Sequence, residues 1–159
     1  MDFILVENKK NKRKNKNVLE SQATTSVLTK DDIINNNNLQ ELFEHHKPFS
    51  VILYGNCLNT KIKSTNDIDI IMIWKKNQPS DELIKKIKIE IEFILSRNIE
   101  LISMRITNTM QYNIGYDNKY KNFENNDKMF IENIYADGLI IYGDNTVDNI
   151  LYCNNIIRY

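Results

Sequence analysis

Tyr54-Gly55-Asn56, then ten residues from Cys57 to Asn66, then Asp67-Ile68-Asp69-Ile70-Ile71-Met72-Ile73-Trp74 is the stretch that decides how this chain of 159 residues is read. Upstream, Phe49-Ser50-Val51-Ile52-Leu53-Tyr54 is short, apolar and β-branched, which predicts a buried strand running into a tight turn at Gly55. A second strand is expected from Ile68 to Trp74. Side chains alternate along a strand, so Asp67 and Asp69 are expected to project from one face with their carboxylates close together. Two like charges side by side are costly unless a cation sits between them, and Mg²⁺ prefers carboxylate and phosphate oxygens. A glycine turn after a buried strand lets backbone N–H groups approach an anion, and phosphate is the natural occupant.

Moving outward, Ile99 to Ile106 reads as a third strand, and Glu100 interrupts its otherwise apolar run. A lone charge there is either a third acidic ligand or a strand end in water. Lys61 and Lys63, between the turn and the acidic pair, are either phosphate-facing or ordinary exposed loop lysines. Ser80-Asp81-Glu82 opens a helix whose Leu83, Ile84, Ile87, Ile91, Ile94 and Leu95 recur at helical spacing, with Lys85, Lys86 and Lys88 on the wet face. Thr29 and Asp32 form a capping-box pattern before a ragged helical stripe of Ile33, Ile34, Leu39, Leu42 and Phe43, which Pro48 stops. His45 and His46 fall at that helix end with no third ligand at a suggestive spacing. After a polar stretch running to Asp127, Lys128 to Ala136 reads as a helix, and Leu139 to Tyr142 as a fourth strand before Gly143. Alternating helices and strands make an α/β or α+β domain, a small mixed sheet with flanking helices.

Lys+Arg total 21 and Asp+Glu 21, so no strong sequence-independent attraction to nucleic acid is written into the net charge. The positive charge is local: from Lys9 to Lys16 the chain reads Lys-Lys-Asn-Lys-Arg-Lys-Asn-Lys, within a span up to residue 28 expected to be a basic, extended tail. That tail is a nuclear-import signal, an RNA-contacting arm or a solvated tail with no partner. Cys57 and Cys153 form neither a metal pattern nor a disulfide framework, which fits a reducing intracellular compartment. No apolar run approaches the ~20 residues of a membrane span, so a cytoplasmic protein is expected, or a nuclear one if the tail acts as a signal.

The segment from Gly55 to Asp69 resembles the signature of the DNA polymerase beta-like nucleotidyltransferase superfamily, in its minimal nucleotidyltransferase branch. That branch carries Gly-Ser, ten residues, then Asp-x-Asp, and Gly55, Asp67 and Asp69 fall on the pattern. Glu100 falls where the family has its third carboxylate, and Asp137 to Gly143 is similar to the terminal strand of such domains. The resemblance assigns residues 29–145 to the nucleotidyltransferase-like domain and leaves 146–159 as a segment of unknown role. It implies transfer of a nucleoside monophosphate from a nucleoside triphosphate, ATP first among donors, to a hydroxyl of a protein or RNA, with release of pyrophosphate. It implies two Mg²⁺ ions on Asp67, Asp69 and Glu100. Phosphates would be cradled by Gly55, Asn56, Lys63, Thr65 and Asn66. Minimal members adenylylate a partner protein, so a partner or a homo-oligomer is also implied. Two departures keep a second reading open: Asn56 stands where the family has serine, and an arginine often found in the loop is missing. A catalytically silent domain that binds a nucleotide or a partner protein is that second reading.

Overall fold

In the computed structural model, which describes residues 27–59, 61–75, 78–106, 125–143, 150 and 153–159, the glycine turn and the acidic stretch lie on neighbouring strands. The basic run at 9–16 and the polar stretch at 107–124 lie outside the described residues. Strands β1 (Ser50–Tyr54), β2 (Ile68–Lys75), β3 (Ile99–Ile106), β4 (Leu139–Gly143) and β5 (Cys153–Arg158) form one sheet in the order β4-β1-β2-β3-β5. Its pairing is mixed: β2 and β3 are parallel, whereas β1–β2, β1–β4 and β3–β5 are antiparallel. A parallel pair needs a long crossover, and helix α3 (Asp81–Leu95) supplies it between β2 and β3. Ser80 caps α3 by accepting from the Leu83 N–H, and Glu92 near its end accepts from the Ile99 N–H at 3.2 Å, which ties the helix to the start of β3.

Alternation along the strands sorts the core into two faces. Val51, Leu53, Ile68, Ile70, Met72, Trp74 and Leu101 are buried against α3 and two shorter helices, α1 (Lys30–Ile34) and α2 (Asn37–His46). Ile52, Ile71, Ile73, Ile102 and Met104 face the other way and pack with Ile131 and Ile134 of helix α4 (Asn125–Asp137). One buried polar point reinforces the β2–β3 register: Ser103 Oγ accepts from Trp74 Nε1 at 3.0 Å and from Gln78 Nε2 at 2.7 Å.

The helix, strand and capping-box expectations on either side of the motif are met, with two differences. The ragged stripe from Ile33 to Phe43 is two helices, because Asn35 closes the first and Asn36 caps the second by accepting from the Leu39 N–H at 3.0 Å. The segment from 146 to 159, which carried no expected element, contributes the edge strand β5. Leu28 forms an isolated antiparallel bridge with Ile62, anchoring the chain just ahead of α1.

Because the part-buried Asn36 side chain satisfies the Leu39 N–H in the first turn of α2, Asn36→Ala is expected to cost about 1 kcal/mol, and Asn36→Gly only a few tenths. Urea unfolding of the three proteins reads this directly. An unchanged midpoint for the alanine variant would show that the break between α1 and α2 is not held by this cap.

Candidate active site

The register across three strands creates the site. Tyr54 of β1 is the pairing partner of Asp69 in β2, and Asp69 is the partner of Glu100 in β3. Partners on adjacent strands share a face, so the three side chains form one row on the α4 side of the sheet, at the end of β1 and the start of β2 and β3. Gly55 follows directly, with φ +81, and opens a short 3₁₀ helix (Gly55–Leu58). A Cβ at Gly55 would run into the Asp69 carboxylate, so this glycine is required twice, by its backbone angle and by its neighbour.

Asp69 is half-buried, and Glu100 is exposed at the mouth of β3. Burial first, then the charge of Glu100, a hydrogen bond with the Glu100 carboxyl and the charge of Asp67 push the Asp69 carboxyl up to about 6. Glu100 is a strand-end residue in water that stands in register with Asp69. Asp67 sits just ahead of β2, exposed, and acts on Asp69 through its charge.

Two clefts open along this row. The first, about 400 Å³, is lined by Tyr54, Asp69, Glu100, Phe130, Arg158 and Tyr159 among its residues. The second, about 350 Å³, includes Tyr54, Gly55, Asn56, Phe130 and Asn133. Tyr54 and Phe130 belong to both, and their rings pack edge to face at 5.7 Å and 84°, forming the wall between the clefts. Burial and the nearby Asp69 and Glu100 charges raise the Tyr54 phenol far above its ordinary range, so it stays neutral. Cys57 donates from Sγ to the Tyr54 carbonyl, and burial next to Asp69 pushes its thiol up to about 11, which makes it a packing residue.

Of the other residues singled out by sequence, Asn56 lines the second cleft, while Lys61, Lys63, Thr65 and Asn66 are exposed and line neither. Sequence reading had given no role to Phe130, Arg158 or Tyr159. Arg158 and Tyr159 arrive through the pairing of β5 with β3, which no local periodicity announces.

Among the described residues, no three His, Cys, Asp or Glu side chains form a ready-made metal cage. Mg²⁺ does not ask for one, since it is held by one or two carboxylates together with waters and substrate phosphates. An all-oxygen pair, Asp69 beside Glu100, with backbone brought close by a glycine that admits no side chain, fits that requirement. Among the described residues, no helix is long and apolar enough to cross a membrane.

A family model described as polymerase beta, nucleotidyltransferase matches residues 37–147, more than half of the chain. No curated protein and no solved structure matches it.

A raised carboxyl makes the metal-free fold pH-dependent in a defined direction. The folded chain retains a proton on Asp69 that the unfolded chain releases between roughly pH 4 and 6, so the site relaxes below that window and costs stability above it. Asp69→Asn, in EDTA at pH 8, is expected to melt higher than wild type by roughly 2–4 °C, the effect of about 1 kcal/mol in a chain of this size after allowance for solvent screening. At pH 4 the gain should vanish. A gain independent of pH, or none at pH 8, would show that the carboxyl is not crowded.

Proposed function

Because the chain belongs to the polymerase beta, nucleotidyltransferase family, we propose that it transfers a nucleoside monophosphate from a nucleoside triphosphate, ATP first among donors, to a hydroxyl acceptor on protein or RNA. The observation that carries this reading is the row Tyr54–Asp69–Glu100 with the Gly55 turn held against the Asp69 carboxylate. Asp67, Asp69 and Glu100 would hold Mg²⁺, which supplies charge neutralisation on the phosphates when bound. The Gly55 turn gives the triphosphate a close backbone approach, and Asn56 donates its side-chain amide to a phosphate oxygen. Glu100, at the cleft mouth, accepts the proton of the attacking hydroxyl. The new oxygen–phosphorus bond forms as the bond to pyrophosphate breaks on the far side.

Catalysis of this kind rests on positioning and charge, so the domain can do it without a nucleophile of its own. The exposed residues Lys63, Thr65 and Asn66 line neither cleft, so they are not counted among the groups that cradle the triphosphate. A partner protein or second copy is proposed to complete the acceptor surface, in the cytoplasm, or in the nucleus if the run at 9–16 acts as an import signal. One observation favours a second reading, a silent nucleotide-binding domain: Asn56 lines the phosphate-side cleft with a side chain larger than the family serine.

Wild type, Asn56→Ser and the double substitution of Asp67 and Asp69 by Asn separate the two. With Mg²⁺ and each labelled triphosphate in lysate, wild type is expected to label a macromolecule and the double variant to fall by at least 10²-fold, the scale of losing one transition-state contact. A wild type raised in Tm by Mg²⁺–nucleotide but inert, with activity gained in Asn56→Ser, would establish the silent reading. No Tm change with any triphosphate would remove the nucleotide site altogether.

A further inference from the structure

The edge strand β5 brings a cation to the carboxylate face. Arg158 pairs with Ile102, two residues along β3 from Glu100, so the pleat alone puts Arg158 and Glu100 on the same face. Among the described residues, Arg158 is the only Lys or Arg lining the first cleft. Its guanidinium lies over the Phe130 ring at 5.3 Å and donates from Nη2 to Asp127 Oδ1 at 3.0 Å, which fixes its plane. More than half of the side chain, 56%, stays accessible. A guanidinium has five donors in a plane, and the bond to Asp127 leaves others for a ligand. Behind it, Tyr159 secures the end of β5, with its N–H donating to the Leu101 carbonyl at 2.8 Å and its hydroxyl to Asp81 at 2.6 Å.

The two clefts divide the work. In-line displacement requires the attacking hydroxyl and the departing pyrophosphate to lie on opposite sides of the reacting phosphorus. If the Gly55-Asn56 side takes the triphosphate, as proposed above, the hydroxyl must come from the side of Glu100 and Arg158, across the Tyr54–Phe130 wall. An arginine beside the attacking hydroxyl is complementary to an anion on the acceptor. A planar guanidinium, backed by Phe130 and flanked by Tyr54, is also a surface on which a base can stack. The terminal nucleotide of a single-stranded RNA carries a hydroxyl, a phosphate and a base within one unit, which suits a cleft of about 400 Å³. A hydroxyl on a protein side chain offers the guanidinium no such anion.

We propose that Arg158 is the acceptor-binding residue of this site and selects an acceptor whose hydroxyl lies beside a phosphate, as at the 3′ end of a single-stranded RNA. This rests on the nucleotidyltransferase reading, and the test keeps the two apart. Wild type, Arg158→Gln and Arg158→Lys are compared in two measurements with Mg²⁺ and a nonhydrolysable triphosphate: the Tm increase caused by the nucleotide, and fluorescence anisotropy of a short labelled oligoribonucleotide with a free 3′ end. The Tm increase should be the same in all three, which also shows that each is folded. RNA affinity should fall roughly 10–100-fold in Arg158→Gln, the scale of a hydrogen bond to a charged group, and less in Arg158→Lys, which keeps the charge but not the fork. Equal RNA affinity in wild type and Arg158→Gln overturns the proposal, as does a nucleotide-dependent Tm increase lost in Arg158→Gln, which would assign the residue to the donor. Arg158-dependent labelling of a protein in lysate, with the oligoribonucleotide untouched, overturns it in favour of a protein acceptor. A wild type whose Tm ignores every triphosphate overturns the nucleotidyltransferase reading itself.

Discussion

Two carboxyl groups facing each other from neighbouring strands repel, and a fold accepts that cost only where the pairing that imposes it is otherwise strong. Here the pairing is the parallel ladder between β2 and β3, which sets Asp69 opposite Glu100 and is buried on both faces by isoleucine, leucine and methionine. A slip of β2 by one residue would turn the Asp69 carboxylate into the apolar face that now holds Ile68, Ile70 and Met72, so burial of that face holds the carboxylates where they are. The Ser103 hydroxyl, taking hydrogen bonds from Trp74 and Gln78, further favours the one register.

From that constraint the remaining geometry follows. Antiparallel pairing of β1 to β2 carries Tyr54 to the third place in the row, and the next residue must be one that can turn with positive φ and leave room for the Asp69 carboxylate. Helix α4 covers the same face, and its Phe130 meets the Tyr54 ring, splitting a single trough into a cleft beside the glycine turn and a cleft beside the carboxylates. β5 closes the cleft beside the carboxylates with Arg158.

Much of this is written locally. The apolar run to Tyr54 is that of a strand buried on both faces, Asp67 and Asp69 alternate with apolar residues at the start of β2, Glu100 stands out as one charge in an apolar strand, and the α3 stripe of Ile84, Ile87, Ile91 and Leu95 is helical. What was not legible depends on pairing. The β5 sequence, Cys-Asn-Asn-Ile-Ile-Arg, lacks alternation and contains two poor strand formers, so only the open edge of β3 makes it a strand. The role of Phe130 was hidden for a related reason: in its helix it reads as one more apolar residue beside Ile131, and only packing against Tyr54 brings it to the clefts. Lys63, Thr65 and Asn66 followed from proximity to Asp67 in sequence, but they form an exposed turn, closed by the Asn66 N–H donating to the Lys63 carbonyl at 3.0 Å, that lines neither cleft.

In the proposed reaction the Asp69–Glu100 pair shares a divalent cation with a triphosphate. Mn²⁺ can stand in for Mg²⁺ and be counted by its electron paramagnetic resonance signal, which fades as the free ion is bound. With a nonhydrolysable triphosphate present, wild type is expected to remove more Mn²⁺ from solution than the nucleotide does alone, and Asp69→Asn combined with Glu100→Gln to remove no more than the nucleotide. Equal removal by the two proteins would contradict the claim.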